Sequence, residues 1–227
     1  MGYFDRFSKG KYQNKSTLGK IWYFLWHEDS IESWLINIVV AFVLIKYLVY
    51  PGLGLLLGTT HPIVAVVSSS MHHGVSYDEF WEMGGGWYEQ NGITKEEFKG
   101  FSMHNGFNKG DIMILLGTDT SKLKLGDIIV FSGSRFNPRP DPIIHRIVSI
   151  TKNDEGKYII GTKGDNFRTN MQQINDCDLN GCLFESDIQD EQIIGKAFIR
   201  VPYLGYVKIA AVEFVCIFND FNFCIRK

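Results

Sequence analysis

The sequence predicts a mainly β domain, a folded sheet or small barrel, behind a single N-terminal transmembrane helix. Three observations predict it. From Trp34 to Gly58 the chain reads WLINIVVAFVLIKYLVYPGLGLLLG, with Lys46 its only charge. Beyond it, six short Val- and Ile-rich segments are nearly all bounded by Gly, Pro, Asn or Asp, the pattern of strands and turns rather than of βαβ units. Ahead of it, Arg6, Lys9, Lys11, Lys15 and Lys20 stand against Asp5 alone. The 227 residues, 45% apolar and 21% charged, can bury a core, which excludes a disordered chain. A formal charge of −2 lacks the basic surplus of a nucleic-acid binder. Four cysteines are too few for a disulfide-dense scaffold, and no CxxC pair suggests structural zinc, so neither metal nor cofactor is expected.

In chain order, residues 1–30 form a basic arm with Leu18, Ile21, Trp22, Leu25 and Trp26 at helical spacing. That stripe suits a helix lying in the membrane interface, or one that docks a partner. Residues 31–58 are the anchor. Trp34 to Tyr50 meets the lower limit of about 17 residues for a crossing helix, Pro51 and Gly52 are expected to end it, and GLLLG to lie at the interface. About thirty polar residues precede the run, so it reads as a signal-anchor and not a cleaved leader. The basic arm should stay cytosolic, which places residues 59–227 outside a cell membrane or in the lumen of the endoplasmic reticulum.

The predicted strands are Pro62 to Val67, Asp111 to Leu116, Asp127 to Phe131, Ile143 to Ile150, Lys157 to Thr162 and Ile193 to Val201. Gly-Asp-Ile at 110–112 and 126–128 reads as a turn entering a strand. Residues 75–108, polar, aromatic and rich in Gly, read as an insertion: a loop with a short helix at Lys95–Lys99. Residues 203–223 are apolar but interrupted by Lys208, Glu213 and Asp220, which favours a membrane-leaning tail over a second crossing.

Three stretches carry candidate chemistry: SSSM at 68–71, IIHR at 143–146 and TKGDN at 162–166. A serine hydroxyl attacks only when a base takes its proton, and a histidine base needs a carboxylate to orient it. Each piece alone has an ordinary structural reading as turn or strand. Their order is more specific. A strand entering Ser-x-Ser-Met, then Gly-Asp-Ile-Ile-Val-Phe, His-Arg-Ile-Val and Thr-Lys-Gly-Asp-Asn, all beyond an N-terminal anchor, resembles type I signal peptidase. The likeness is to the archaeal and endoplasmic-reticulum branch, where histidine stands in place of the bacterial lysine. It covers residues 35–74 and 107–208.

The resemblance implies a serine endopeptidase that removes signal peptides from secretory preproteins. It makes Ser70 the nucleophile, His145 the general base and Asp165 one of two acidic positions. Ser68 would assist the backbone N–H of Ser70 in holding the oxyanion. The implied partners are signal peptides and the lipid bilayer, with the translocon or other subunits also open. An inactive domain that binds exported chains, and a general membrane-bound serine protease, remain as alternative functions. A histidine base suits neutral pH, because an unperturbed imidazole titrates near ~6.5.

Two departures from the family pattern stand out. The second aspartate, six residues after the first, is replaced by Met171, so Asp165 is the first choice to orient His145, with Asp176 or Asp178 as alternatives. The Pro usual after Ser-Met is replaced by His72-His73, read as loop histidines, because adjacent extended residues face opposite ways and make a poor metal pair. Lys163 reads as packing or a surface ion pair. Cys177 and Cys182 are a candidate disulfide on the oxidising side, and Cys216 and Cys224 read as apolar filler in the tail.

Overall fold

The computed structural model describes residues 16–206. Most of the basic arm, with Arg6, Lys9, Lys11 and Lys15, lies outside the described residues, as does the tail beyond Tyr206 with Glu213, Cys216 and Cys224. The chain divides into two compact units between Leu53 and Gly54.

The first unit is helical. α1 (Thr17–His27) and α2 (Ile31–Leu44) each start at a serine whose hydroxyl accepts a first-turn amide, Gly19 N–H at Ser16 and Ser33 N–H at Ser30. Ser33 Oγ donates to the Phe24 carbonyl at 2.6 Å and Asn37 Nδ2 to that of Leu25 at 2.9 Å, which ties the two helices. Leu18, Trp22 and Trp26 on α1 are exposed, with Trp22 packed on Trp26.

Contrary to expectation, the helix does not end at Pro51. A π-turn over Ile45–Val49, where Tyr50 N–H reaches the carbonyl of Ile45, leads into α3 (Tyr50–Leu57). The wider turn relieves the clash of a proline ring with the carbonyl four residues back. Ile31–Leu57 is therefore one 27-residue helix, long and apolar enough to cross a membrane.

The second unit is mainly β, as the sequence predicts. Its six-stranded antiparallel sheet comprises β1 (Ile63–Ala65), β2 (Ile112–Leu116), β3 (Ile128–Phe131), β4 (Ile143–Lys152), β5 (Tyr158–Lys163) and β8 (Ile193–Val201). The strand order is β1-β2-β8-β3-β4-β5, with β1 at one edge. β3 is buried on both faces: Ile128 and Val130 join Val66, Met71, Met113 and Ile144, while Ile129 and Phe131 join Ile147, Ile160, Leu183 and Ile188. A sheet with two covered faces needs continuous apolar strands, and IIVF supplies one. Both Gly-Asp-Ile turns work alike. Gly110 and Gly126 take positive φ (89° and 85°), and Asp111 and Asp127 each accept the amide three residues earlier, from Asn108 and Lys124.

A second sheet, β6 (Asn175–Asp178) and β7 (Gly181–Phe184), is a hairpin the sequence reading missed. Its exposed polar strand NDCD has no alternation to reveal it. Cys177 and Cys182 are opposite in register and joined by a disulfide. The 75–108 segment is also more ordered than expected, for it holds α4 (Tyr77–Gln90) as well as α5 (Lys95–Lys99). Gly84-Gly85-Gly86 disguised α4, since glycine disfavours helix by about 1 kcal/mol each. Burial wins here: Phe80, Trp81 and Tyr88 pack with Ile93, Phe98 and Val148, and a Cβ on Gly85 would stand 2.6 Å from the Trp81 ring.

Removing the disulfide with Cys177→Ser and Cys182→Ser should lower stability by about 2 kcal/mol, the chain-entropy value for so short a loop. Urea unfolding of the detergent-solubilised chain measures it, and an unchanged midpoint would contradict it.

Candidate active site

β1 leads through Val66 into a turn in which His72 N–H bonds the Ser69 carbonyl at 3.0 Å, with Ser70 and Met71 at its corner. Met71 is the buried anchor. Its side chain lies in the first core cluster, its carbonyl accepts from Phe107 N–H, and its sulfur accepts the Asp165 amide at 3.4 Å. Ser70 is left half-buried, its hydroxyl 3.2 Å from that of the exposed Ser68. Among the described residues the Ser70 N–H donates no hydrogen bond. A hydroxyl and an unpaired amide at one corner are the parts of an oxyanion site.

The Gly-Asp-Asn turn grips this corner. Asn166 N–H donates to the Ser70 carbonyl at 2.8 Å and Asn166 Nδ2 to that of Ser69 at 2.9 Å. Asp165 points away from it into a fully buried ion pair: Arg146 Nη2 reaches Asp165 Oδ2 at 2.6 Å and Nε lies 3.1 Å from both oxygens. Tyr88 OH donates to Oδ1 at 2.9 Å, and His73 Nε2 lies 3.4 Å from Oδ2. Burial alone would raise the Asp165 carboxyl, but the Arg146 charge and the hydrogen bonds from His73 and Arg146 outweigh it and hold it well below the usual carboxylate range.

Asp165 makes no hydrogen bond with His145 among the described residues, contrary to the expected contact. His145 is bonded instead to Glu185, Nδ1 to Oε1 at 2.5 Å, with both side chains buried. Alternation along β4 explains the split. His145 faces the cluster that holds Phe131 and Ile147, whereas Arg146 faces Phe98 and the insertion. Asp176 and Asp178 are both exposed on β6, where Asp178 pairs with Arg139, so neither reaches the imidazole. Glu185 was missed because it closes a strand that was itself missed. The apolar GCLF run before it was the available signal.

The Ser70 turn approaches the end of β5 at Gly164. β4 and β5 pair Arg146 with Lys163, the last residue of β5, and Gly164 follows it directly. There a Cβ would meet the Ser70 carbonyl at 2.9 Å and the Asn170 side chain at 2.7 Å. Only glycine leaves room for the serine turn to lie over this position. Among the described residues no hydrogen bond joins Ser70 to His145. Catalytic hydrogen bonds are often long before substrate binds.

The neighbouring residues are more deeply buried than their sequence reading suggests. His73 lies in a loop, as read, but is buried and stacked 3.7 Å from the Phe80 ring, while His72 Nδ1 bonds Asn108. Lys163 is buried over Tyr88 and Trp87, its ammonium donating to the Gly164 carbonyl at 2.9 Å, and burial pushes it down to about 8 against the pull of Asp165 and Glu185. Among the described residues no cluster of three or more His, Cys, Asp or Glu could hold a metal ion.

In the chain a mainly β unit follows a long apolar helix, and Gly-Asp-Asn ties the Ser-x-Ser-Met turn through Asn166 and Arg146 of β4 through Asp165. The chain is 30% identical over 110 residues to the human signal peptidase complex catalytic subunit SEC11C, which covers 48% of this chain and 52% of that one. To the catalytic subunits SEC11 of Eremothecium gossypii and Candida tropicalis it is 32% and 31% identical over 112 residues, 49% of this chain and 62% and 61% of theirs. The matches thus span between half and two thirds of those relatives' length. No protein-family model matches the chain. The resemblance read from the motifs is borne out: homologues of this chain are signal peptidase catalytic subunits.

Asp165→Asn should cost about 3–5 kcal/mol, because it strands a buried guanidinium. Asp165 is lower in the folded than in the unfolded state, where it sits near ~3.9, so its contribution is complete above that value and fades as pH falls below it. The stability gap between wild type and variant, from urea titrations at stepped pH, should therefore narrow below about pH 4; a gap that widens in acid would refute the assignment. Gly164→Ala should displace the Ser70 turn, leaving the far-ultraviolet spectrum unchanged while any hydrolytic activity falls.

Proposed function

We propose that this chain is a membrane-anchored serine endopeptidase that removes signal peptides from secretory preproteins. The observation that supports the proposal is the approach of the Ser70 carbonyl to Gly164, the residue after Lys163, which pairs with Arg146 next to His145 on β4. Similarity to signal peptidase catalytic subunits supplies the substrate class.

The chemistry follows from the parts. Nε2 of a neutral His145 takes the Ser70 proton as Oγ attacks the scissile carbonyl. The oxyanion that forms is met by the Ser70 N–H and the Ser68 hydroxyl. The same imidazole then gives its proton to the leaving amine, and water, deprotonated in turn, releases the acyl group from Ser70. β1 is an edge strand that runs directly into the serine turn, with one side unpaired in the sheet. An extended cleavage region can add to that edge by main-chain hydrogen bonds, with small side chains selected one and three residues before the scissile bond. The apolar helix is the anchor, and the basic arm ahead of it sets the catalytic unit on the far side of the membrane.

The test is cleavage of a model preprotein by the full chain in membranes. Ser70→Ala and His145→Ala should each abolish product, and the double variant should lose no more than either, because residues that act as a unit are not additive. Ser68→Ala should lower kcat by about 10²–10³-fold, the effect of one oxyanion donor. Processing that survives Ser70→Ala would end the proposal, and cuts scattered through folded substrates would mark a general protease instead.

A further inference from the structure

We propose that Glu185 is the residue that orients His145, the task that the sequence motifs assign to an aspartate of the Gly-Asp-Asn region. The inference rests on the peptidase reading and deepens it by naming a positioning residue.

The position that would carry a second aspartate holds Met171, which is 75% exposed and can position nothing inside. Asp165 is engaged with Arg146, Tyr88 and His73 on the other side of the sheet. Glu185 is fully buried and held at both oxygens. Oε2 accepts Ile174 N–H at 2.6 Å, and Oε1 faces His145 Nδ1 at 2.5 Å, with Thr162 Oγ1 at 3.5 Å. Its backbone is held as firmly, its N–H on the Ile174 carbonyl and its own carbonyl on Thr162 N–H.

That arrangement has one chemical consequence. A carboxylate only accepts, so Nδ1 must carry the proton of the neutral imidazole, and Nε2 is left as the lone pair that can take a proton from Ser70. Ile174 N–H requires an oxygen at its end of the side chain. In Glu185→Gln the amide therefore turns its NH2 toward Nδ1, the imidazole proton moves to Nε2, and the base faces the serine with a hydrogen instead of a lone pair. The same carboxylate-to-amide change in a serine triad lowers kcat roughly 10⁴-fold.

The experiment combines ¹⁵N NMR of imidazole-labelled full chain in detergent micelles with preprotein cleavage. Wild type should show His145 protonated on Nδ1, with a far-downfield proton. Glu185→Gln should move that proton to Nε2 and lower kcat by about 10²–10⁴-fold with KM little changed. Glu185→Asp retains the charge at a longer reach, so it should weaken the downfield resonance and recover part of kcat; it also keeps the test open should the glutamine variant fail to fold. Asp165→Asn, where circular dichroism shows it folded, should leave the Nδ1 signature intact. An Nδ1 proton and kcat unchanged in the glutamine variant, or a resonance unmoved in Glu185→Asp, would overturn the proposal. So would loss of the signature in folded Asp165→Asn. A wild-type chain that shows the signature but cuts no preprotein would instead defeat the peptidase reading and leave Glu185 as the partner of His145.

Discussion

The β unit is organised around one buried charge pair, Arg146 with Asp165. Every guanidinium nitrogen is used: Nε and Nη2 on Asp165, Nη1 on the Ser102 and Gly126 carbonyls, Nη2 also on that of Met103. One side chain thus fastens β4 to the Gly-Asp-Asn turn, to the end of the insertion and to the second Gly-Asp-Ile turn. Phe98 closes over it, its ring centre 4.8 Å from the guanidinium carbon. A buried ion pair gains little against apolar packing of the same volume. Its value here is geometric, since each hydrogen bond fixes a loop that apolar contact would leave free to slide.

The two carboxylates of the site have separate tasks because β4 alternates. Arg146 draws Asp165 to the aromatic face, and His145, one residue earlier, meets Glu185 on the opposite face. The serine turn is held between them by Asn166 and by the space at Gly164. The insertion belongs to this framework, because Tyr88 on α4 bonds Asp165 directly. It is a wall of the site's foundation rather than a decoration on the surface.

Much of this was legible in the sequence for definite reasons. The six main strands showed themselves because Val and Ile runs between turn residues have few other uses, and β3 was plain because both its faces are covered. The apolar helix was plain too, but its end was misplaced, since a π-turn that accommodates Pro51 has no sequence signature. α4 was hidden by three glycines whose cost is met by tertiary burial, and β6–β7 by its exposed polar strand. At the candidate site, motif order singled out Ser70, His145 and Asp165 but could not say which acid meets the imidazole. That depended on which face of β4 each side chain takes and on a hairpin that brings position 185 back across β5. His73 and Tyr88 were unreadable as partners of Asp165 for the same reason: their contacts span 92 and 77 residues.

The hairpin also sets a condition on maturation. Cys182 is joined to Cys177, Leu183 is pinned in the core next to it, and Glu185 follows two residues further on. The carboxylate that faces the imidazole thus sits just past the end of a covalently clamped ribbon. A newly made chain whose thiols are still apart carries that ribbon unfastened. Under the proposed function, competence would arrive with oxidation, and a copy kept among cytosolic reductants would stay latent.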